Sequence, residues 1–257
     1  MILADLAATP DAALAVSEWR ALPATQAPWQ ASGVRLAAGQ AYTLLATGTV
    51  HWSARHPDLY GGPGFHLYAR VHPGGRLVNL TRTSDIYRAC HAQGAAPRIC
   101  LEAADDQGIV RKAVDWALTD GTRLAWRWRL DLHPSTLPED TPCTHDYVSV
   151  AAEFDDGRDL TWIWSAALPR DRHFACPIRA WQTRETHWVV RNAGDPRGAW
   201  LDEERAVRAD VAAAMGAPPL RIVAVWLIAV ATFQHQRARA AFEGIELVDG
   251  ERRLRVL

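Results

Sequence analysis

Apolar and polar residues alternate through much of this chain. In residues 124–132, tryptophans and leucines share one face, whereas Arg127, Arg129 and Asp131 share the other. Alternation of this kind is the pattern of a strand with one buried face. Shorter runs, separated by Gly, Pro and Asp turns, extend from residue 34 to residue 103. The pattern predicts a mainly β protein built as sandwiches.

A hairpin is predicted over residues 147–165. Its five-residue loop contains Gly157, which can adopt the positive φ that such a turn requires. In this register the apolar residues of both strands share one face, with Leu160, Trp162 and Trp164 on the second strand. A slip of one residue would exchange the two faces. The opposite face is the predicted ligand face, and it carries Tyr147, Ser149, Glu153, Thr161 and Ser165.

Two short helices are predicted among the strands. Thr9 followed by Pro10 predicts a helix that continues to about Ala21. Asp202–Met215 predicts a second helix, which Gly216 ends. Early acidic residues and apolar residues at helical spacing support the second assignment.

The turn at Asp120-Gly121 predicts a domain boundary. We expect an N-terminal helix and linker at residues 1–28, a jelly-roll-like β-sandwich at 29–120 and a second one at 121–257. No internal repeat of 20–50 residues is evident.

The charge balance excludes two classes of partner. With 28 basic and 29 acidic residues, the formal net charge is −1, so we expect no nucleic-acid and no membrane partner. The first residues lack the basic and apolar regions of a secretory signal, which predicts a cytoplasmic protein. Four cysteines without a CxxC pair then predict reduced thiols rather than a disulfide framework.

Twelve tryptophans are unusual for a chain of 257 residues. Because an indole combines a large apolar body with one polar N–H, we expect some of them to line a pocket or groove. Trp162 and Trp164 can stack on a ligand but also alternate as core residues do. Trp181, in the loop CPIRAW, is the best predicted platform for a sugar ring.

Acid and base side chains are concentrated between residues 141 and 191, and the candidate catalytic residues are His145, Asp146, Glu153, Glu185 and His187. Neighbouring residues of a strand face opposite ways, so His145 and Asp146 are not expected to pair. Contacts across strands, such as Asp146 with His187 or Glu153 with Arg184, are the alternatives. The same groups can also serve only to tie loops to strands.

The segment EFDDGRD raises the question of a metal. Asp155, Asp156 and Asp159 offer hard oxygen ligands, so calcium is an alternative to a solvated turn. A set of Cys143, His145, Cys176 and His187 has the residue types of a zinc site, but no local ligand spacing supports it. Phosphate-binding loops, GxGxxG and nucleophile elbows are absent from the sequence. No resident cofactor is predicted.

The second half of the chain resembles a bacterial family known as domain of unknown function 3047. The resemblance rests on EFDDGRDLTWIWS, THWVVRNAG, WLDEERAVRADVAAAMG and the strand pair IVAVWLIAVATFQ and AAFEGIEL. This chain departs from the family pattern at Val230–Gln234, where the family tends to carry Asp-rich residues. The N-terminal segment GVRLAAGQAYTLLATG is similar to galactose-binding-like lectin sandwiches, which implies jelly-roll architecture more than sugar binding.

Two functions follow as hypotheses. The first is a ligand-handling β-sandwich that binds a small molecule or a glycan, and its predicted binding residues are Tyr147, Trp162, Trp164, Trp181 and Arg184. The second is a cofactor-independent acid/base enzyme, such as a cyclase, isomerase, hydratase or lyase, that acts on a largely apolar metabolite.

Overall fold

The computed structural model describes residues 33–40, 50–51, 60–61, 68–71, 76–79, 86–91, 96–141, 144–178 and 181–256. The predicted N-terminal helix and Cys143 lie outside these residues.

The described residues are mainly β, as predicted, with a single helix. The elements are β1 (Val50–His51), β2 (Tyr60–Gly61), β3 (Tyr68–Val71), β4 (Arg76–Asn79), β5 (Tyr87–Ala89), β6 (Arg98–Ala104), β7 (Gln107–Ala117), β8 (Arg123–Leu132), β9 (Tyr147–Phe154), β10 (Asp159–Trp164), β11 (His173–Ala175), β12 (Glu185–Arg191), β13 (Leu201–Ala206), α1 (Val207–Met215), β14 (Arg221–Val230), β15 (Arg237–Asp249) and β16 (Arg252–Arg255). The helix is too short to span a membrane, and no other helix occurs in the part of the chain that the structure describes.

Most strands belong to two sheets. Sheet I has the order β11-β12-β10-β9-β14-β7, and sheet II has the order β13-β8-β15-β6-β5, with β16 on the end of β15. Nearly all neighbours are antiparallel, but β10 and β12 run parallel because β11 lies between them in the chain. The short strands pair separately, β1 with β2 and β3 with β4.

The chain divides into two compact units at a place other than the predicted one. One unit contains residues 1–50 and 61–82, and the other contains 51–60 and 83–257. The predicted boundary at Asp120-Gly121 lies inside the larger unit, because β6 pairs with β15 and β7 pairs with β14. These strand partners are far apart in sequence, so local turn signals could not reveal them.

Tryptophans fill the space between the two sheets. Trp126 of β8 lies 5.8 Å from Trp162 of β10, and Trp128 lies 5.3 Å from Trp164. All four are at most 1% exposed. The predicted facing of the hairpin is confirmed, since the apolar residues of β9 and β10 face this core. The pairing is shifted by two residues from the five-residue loop that was predicted, because β10 begins at Asp159 and Leu160 lies opposite Ala152.

Acidic side chains at the edge of the sandwich bind two of the buried indoles. Trp128 Nε1 donates to Glu203 at 2.9 Å, and Trp162 Nε1 donates to Asp210 at 2.9 Å. Glu203 therefore belongs to β13, which pairs with β8, and the second helix begins at Val207 rather than at the predicted Asp202. Strand pairing outweighs helix preference at residues 202–206, because each of them pairs with a residue of β8.

A disulfide joins Cys90, just after β5, to Cys100 in β6, with their Cα atoms 5.7 Å apart. The predicted reduced state is wrong for these two cysteines. The pairing of β5 with β6 brings them together, and sequence spacing alone gave no sign of it. Cys176 is a buried free cysteine.

Replacement of Cys90 and Cys100 by Ala should destabilise the protein by about 3 kcal/mol, because the bond closes a loop with a sequence separation of 10. Urea unfolding of the variant and of the wild type, without reductant, measures the difference. Wild type with reductant is the control and should match the variant. Alkylation of Cys90 and Cys100 in denatured, unreduced protein would contradict the disulfide.

Candidate functional site

The candidate site lies on the face of sheet I that is turned away from the core. Strand residues alternate between faces, so Asp159 and Thr161 of β10 point to this side, as do Glu185 and His187 of β12. Asp159 lies opposite Glu185 and Thr161 lies opposite His187 in the parallel pair. Tyr147 of β9 adds a hydroxyl that reaches Glu185. Sheet register therefore places acids, a base and hydroxyls together.

Two segments outside the central strands add further donors. His145 lies two residues before the start of β9, and its Nδ1 lies 3.3 Å from the carbonyl oxygen of Glu139. Because a carbonyl only accepts, Nδ1 is the donor in this contact, and Nε2 faces the other side of the ring. Cys176 directly follows β11 and is held by a backbone hydrogen bond to Glu185. Its Sγ lies 3.6 Å from Nε2 of His145.

His145, Cys176, Glu185 and His187 form the His-Cys-Glu cluster. One ligating atom from each residue lies within 4.8 Å of those of the other three. Their exposed fractions are 1%, 0%, 7% and 0%. Among the described residues, this is the group of His, Cys, Asp and Glu side chains whose donors are close enough to share one ion.

The imidazole of His187 is buried without a hydrogen-bond partner. Its Nε2 lies 3.3 Å from Glu185 Oε1, which is within ion-pair range, but the angle is not that of a hydrogen bond. Neither ring nitrogen is bonded to any residue that the structure describes. Phe174 stacks on the ring at 5.1 Å, and His145 meets it edge-on at 4.6 Å. An imidazole held in this way has a fixed direction and an unmet need for a partner.

Glu185 carries the negative charge of the cluster. Burial favours its neutral form, but His187 and His145 outweigh burial and lower the pKa of this carboxyl. Burial raises the pKa of the neighbouring Asp159, and the charge of Glu185 adds to this effect. Glu185 and Asp159 therefore share one negative charge, and it lies on Glu185, which is the closer of the two to the imidazoles.

The thiol of Cys176 is not an activated nucleophile. Burial, and then the carboxylate of Glu185, raise the pKa of this thiol far above its usual range. A reactive cysteine has the opposite shift, because the thiolate is the attacking form. Cys176 can lose its proton only if a cation takes the place of that proton.

Two further buried carboxyls anchor the segment before β9. Glu139 accepts hydrogen bonds from the hydroxyl of Ser165 and the backbone N–H of Ala166. Asp146 accepts from the backbone N–H groups of Phe233 and Gln234. Burial raises the pKa of each carboxyl to about 7.

The family model described as Protein of unknown function (DUF3047) matches residues 78–246. The chain belongs to this family. The resemblance predicted for the second half is thereby confirmed, and the matched range contains the whole His-Cys-Glu cluster. A search among curated proteins finds no similar sequence.

The fold of this DUF3047 protein brings together four of the predicted site residues, namely His145, Tyr147, Glu185 and His187. Cys176 joins them, although sequence spacing argued against a zinc set that contained it. The donors come from the segment before β9, the segment after β11 and β12 itself, so no local motif could show the site. The site depends on the parallel pairing of β10 with β12, and the sequence pattern did not show that these two strands are neighbours.

Other predicted site residues lie elsewhere in the DUF3047 protein. Asp146 binds the backbone of residues 233–234 rather than His187, and Glu153 binds Arg111 and Trp226 rather than Arg184. Trp162 and Trp164 are core residues.

Trp181 is half-buried in the turn before β12, where the guanidinium of Arg184 lies 5.2 Å from its ring. The three calcium candidates face different ways. Asp155 accepts backbone N–H groups at residues 220–221, Asp156 pairs with Arg158, and Asp159 points to Thr161.

Glu139→Gln should flatten the dependence of stability on pH. The folded-state pKa of Glu139 is raised from 4.5 to about 7, so its contribution is fully present at low pH and is lost as the pH rises through 7. We expect the wild type to lose about 3 kcal/mol from this group between about pH 5 and pH 8. Urea unfolding across this range measures the effect.

The matched control for Glu139→Gln is Glu251→Gln, in an exposed turn. The control should retain the pH dependence of the wild type. Parallel curves for wild type and Glu139→Gln would show that Glu139 does not titrate in this range.

Proposed function

We propose that this protein binds a divalent transition-metal ion of the zinc type at the His-Cys-Glu cluster. The observation that carries the proposal is the imidazole of His187, which is fully buried with neither nitrogen hydrogen-bonded to a described residue. An unmet buried polar group costs about 1–3 kcal/mol, so its presence beside three other donors needs an explanation. A bound ion supplies one.

Two donor distances match tetrahedral coordination. An ion with bonds of about 2.0–2.1 Å to nitrogen and oxygen and about 2.3 Å to sulfur separates N from O by about 3.3 Å and N from S by about 3.6 Å. His187 Nε2 lies 3.3 Å from Glu185 Oε1, and His145 Nε2 lies 3.6 Å from Cys176 Sγ. The full spread of 4.8 Å requires only a modest contraction on binding.

The charges of the cluster also suit a divalent ion. A thiolate at Cys176 and a carboxylate at Glu185 neutralise a dipositive ion, while the two imidazoles bind in their neutral form. A buried site of zero net charge avoids the large cost of an unpaired charge in the interior.

Donor type favours zinc over calcium. Imidazole and thiolate are ligands of zinc and related transition metals, whereas calcium and magnesium require a shell of oxygen atoms. The cluster offers two nitrogens, one sulfur and one carboxylate. The small-molecule or glycan ligand expected from the sequence is a separate hypothesis, and the proposed ligand is a metal ion.

Metal analysis tests the proposal directly. We expect wild-type protein to bind one equivalent of zinc or cobalt(II) and to lose thermal stability when EDTA removes the ion. At a free concentration about 1,000 times Kd, the ion should add about 4 kcal/mol to the free energy of unfolding. Thermal-shift measurements with zinc, EDTA and, for the glycan alternative, a set of saccharides provide the comparison.

Variants locate the ion. His187→Ala and Cys176→Ser should lose tight binding, because each removes one ligand of the ion. The matched control is His173→Ala, whose imidazole is exposed on β11 outside the cluster. Circular dichroism checks that each variant is folded. The proposal fails if the wild type binds no metal or if His187→Ala binds as tightly as the control.

A second candidate is the cofactor-independent acid/base enzyme. It is favoured by Glu139 and Asp146, two buried carboxyls whose pKa is raised to about 7, a value suited to proton transfer near neutral pH. Such an enzyme would keep its turnover in EDTA and lose about 10²–10⁴-fold in rate in Asp146→Asn. Conversion of a metabolite that stops with EDTA would instead support the metal-dependent alternative.

A further inference from the structure

Two hydroxyl groups converge on one carboxylate oxygen of the cluster. Tyr147 Oη of β9 lies 3.4 Å from Glu185 Oε1, and Thr161 Oγ1 of β10 lies 3.3 Å from the same atom. Both residues are buried, with exposed fractions of 3% and 0%. Three neighbouring strands of sheet I therefore contribute to the orientation of a single side chain.

The ring of Tyr147 has a fixed place among the ligands. It meets His145 edge-on at 4.7 Å and His187 edge-on at 5.1 Å. A phenol hydroxyl beside a carboxylate oxygen acts as the donor, and Tyr147 Oη lies 3.4 Å from Glu185 Oε1. Its direction is thus set by the same imidazoles that surround Glu185.

Thr161 has two acceptors within reach. Its Oγ1 lies 3.3 Å from Asp159 Oδ1 as well as 3.3 Å from Glu185 Oε1. A hydroxyl has one proton to donate and can accept through its lone pairs. The charged carboxylate is the stronger acceptor, so donation to Glu185 is the favoured arrangement.

We propose that Tyr147 and Thr161 are positioning residues that hold the carboxylate of Glu185 in the direction required for metal binding. This inference rests on the proposed metal-binding function. Neither hydroxyl belongs to the four ligands. Each acts by fixing the orientation of a ligand that would otherwise rotate about its own side-chain bonds.

The physical consequence is a loss of affinity when either hydroxyl is removed. Two hydroxyl donors on one carboxylate oxygen restrict its rotation, and metal affinity depends on the direction of each ligand atom. Groups that orient metal ligands typically contribute about 10–100-fold to metal affinity. We therefore expect each hydroxyl to contribute to metal affinity.

Matched variants separate positioning from general stability. Tyr147→Phe and Thr161→Val remove the two hydroxyls with little change in shape. The controls are Tyr87→Phe, which removes a hydroxyl that donates to Gly108 O at 3.3 Å, and Ser149→Ala, which removes one that donates to Ile228 O at 3.3 Å. Ser149 is fully buried on the same strand and face as Tyr147, but it bonds outside the cluster.

The experiment measures cobalt(II) and zinc affinity by competition with a chelator, together with the visible spectrum of the cobalt(II) protein. We expect each test variant to bind about 10–100-fold more weakly and to shift the cobalt(II) absorption bands. Both controls should keep the wild-type affinity and spectrum. Thr161→Ser, which retains the hydroxyl, should restore tight binding.

The outcomes distinguish the positioning role of the two hydroxyls from the metal site itself. If wild type binds cobalt(II) and both test variants retain its affinity and spectrum, the positioning role is wrong while the metal site stands. If wild type binds no metal, the proposed function is wrong and the inference falls with it. Should Tyr147→Phe fail to fold, the comparison of Thr161→Val with Thr161→Ser remains the test.

Discussion

Packing of tryptophans between the two sheets is the constraint on which the site depends. Trp162 and Trp164 of β10 meet Trp126 and Trp128 of β8 across the core. Because alternate residues of a strand face opposite ways, burial of these indoles sends Thr161 and its odd-numbered neighbours to the other face. A shift of one residue would put polar groups into the core, so the cost of such a slip fixes the register.

That register places several polar groups on a face that is also buried. At Trp128 and Trp162 direct partners offset the cost of burying a polar group, since these indoles bind Glu203 and Asp210. His187 has no such partner among the described residues. The proposed ion resolves three costs at once, since it satisfies the imidazole, permits ionisation of Cys176 and balances the charge of Glu185.

The cluster also depends on segments outside the sheets. His145 is directed by the carbonyl of Glu139, and the segment between them is anchored by the carboxyls of Glu139 and Asp146. These carboxyls therefore act on the site through the backbone, whether or not they exchange protons with a substrate. The range matched to the DUF3047 family includes both anchors and all four donors, so the arrangement lies within the family domain.

Local pattern in the sequence determined the mainly β class, the hairpin of β9 and β10, the separation of apolar and polar faces, and the end of α1 at Gly216. Each of these depends on neighbouring residues, through side-chain alternation or turn chemistry. Tertiary structure decided the rest. The pairing of β6 and β7 with distant strands, the Cys90–Cys100 disulfide and the meeting of Cys176 with His145 all join segments that no local period relates. The choice of neighbouring strands is made only when the whole core packs. Such contacts therefore depend on the complete fold.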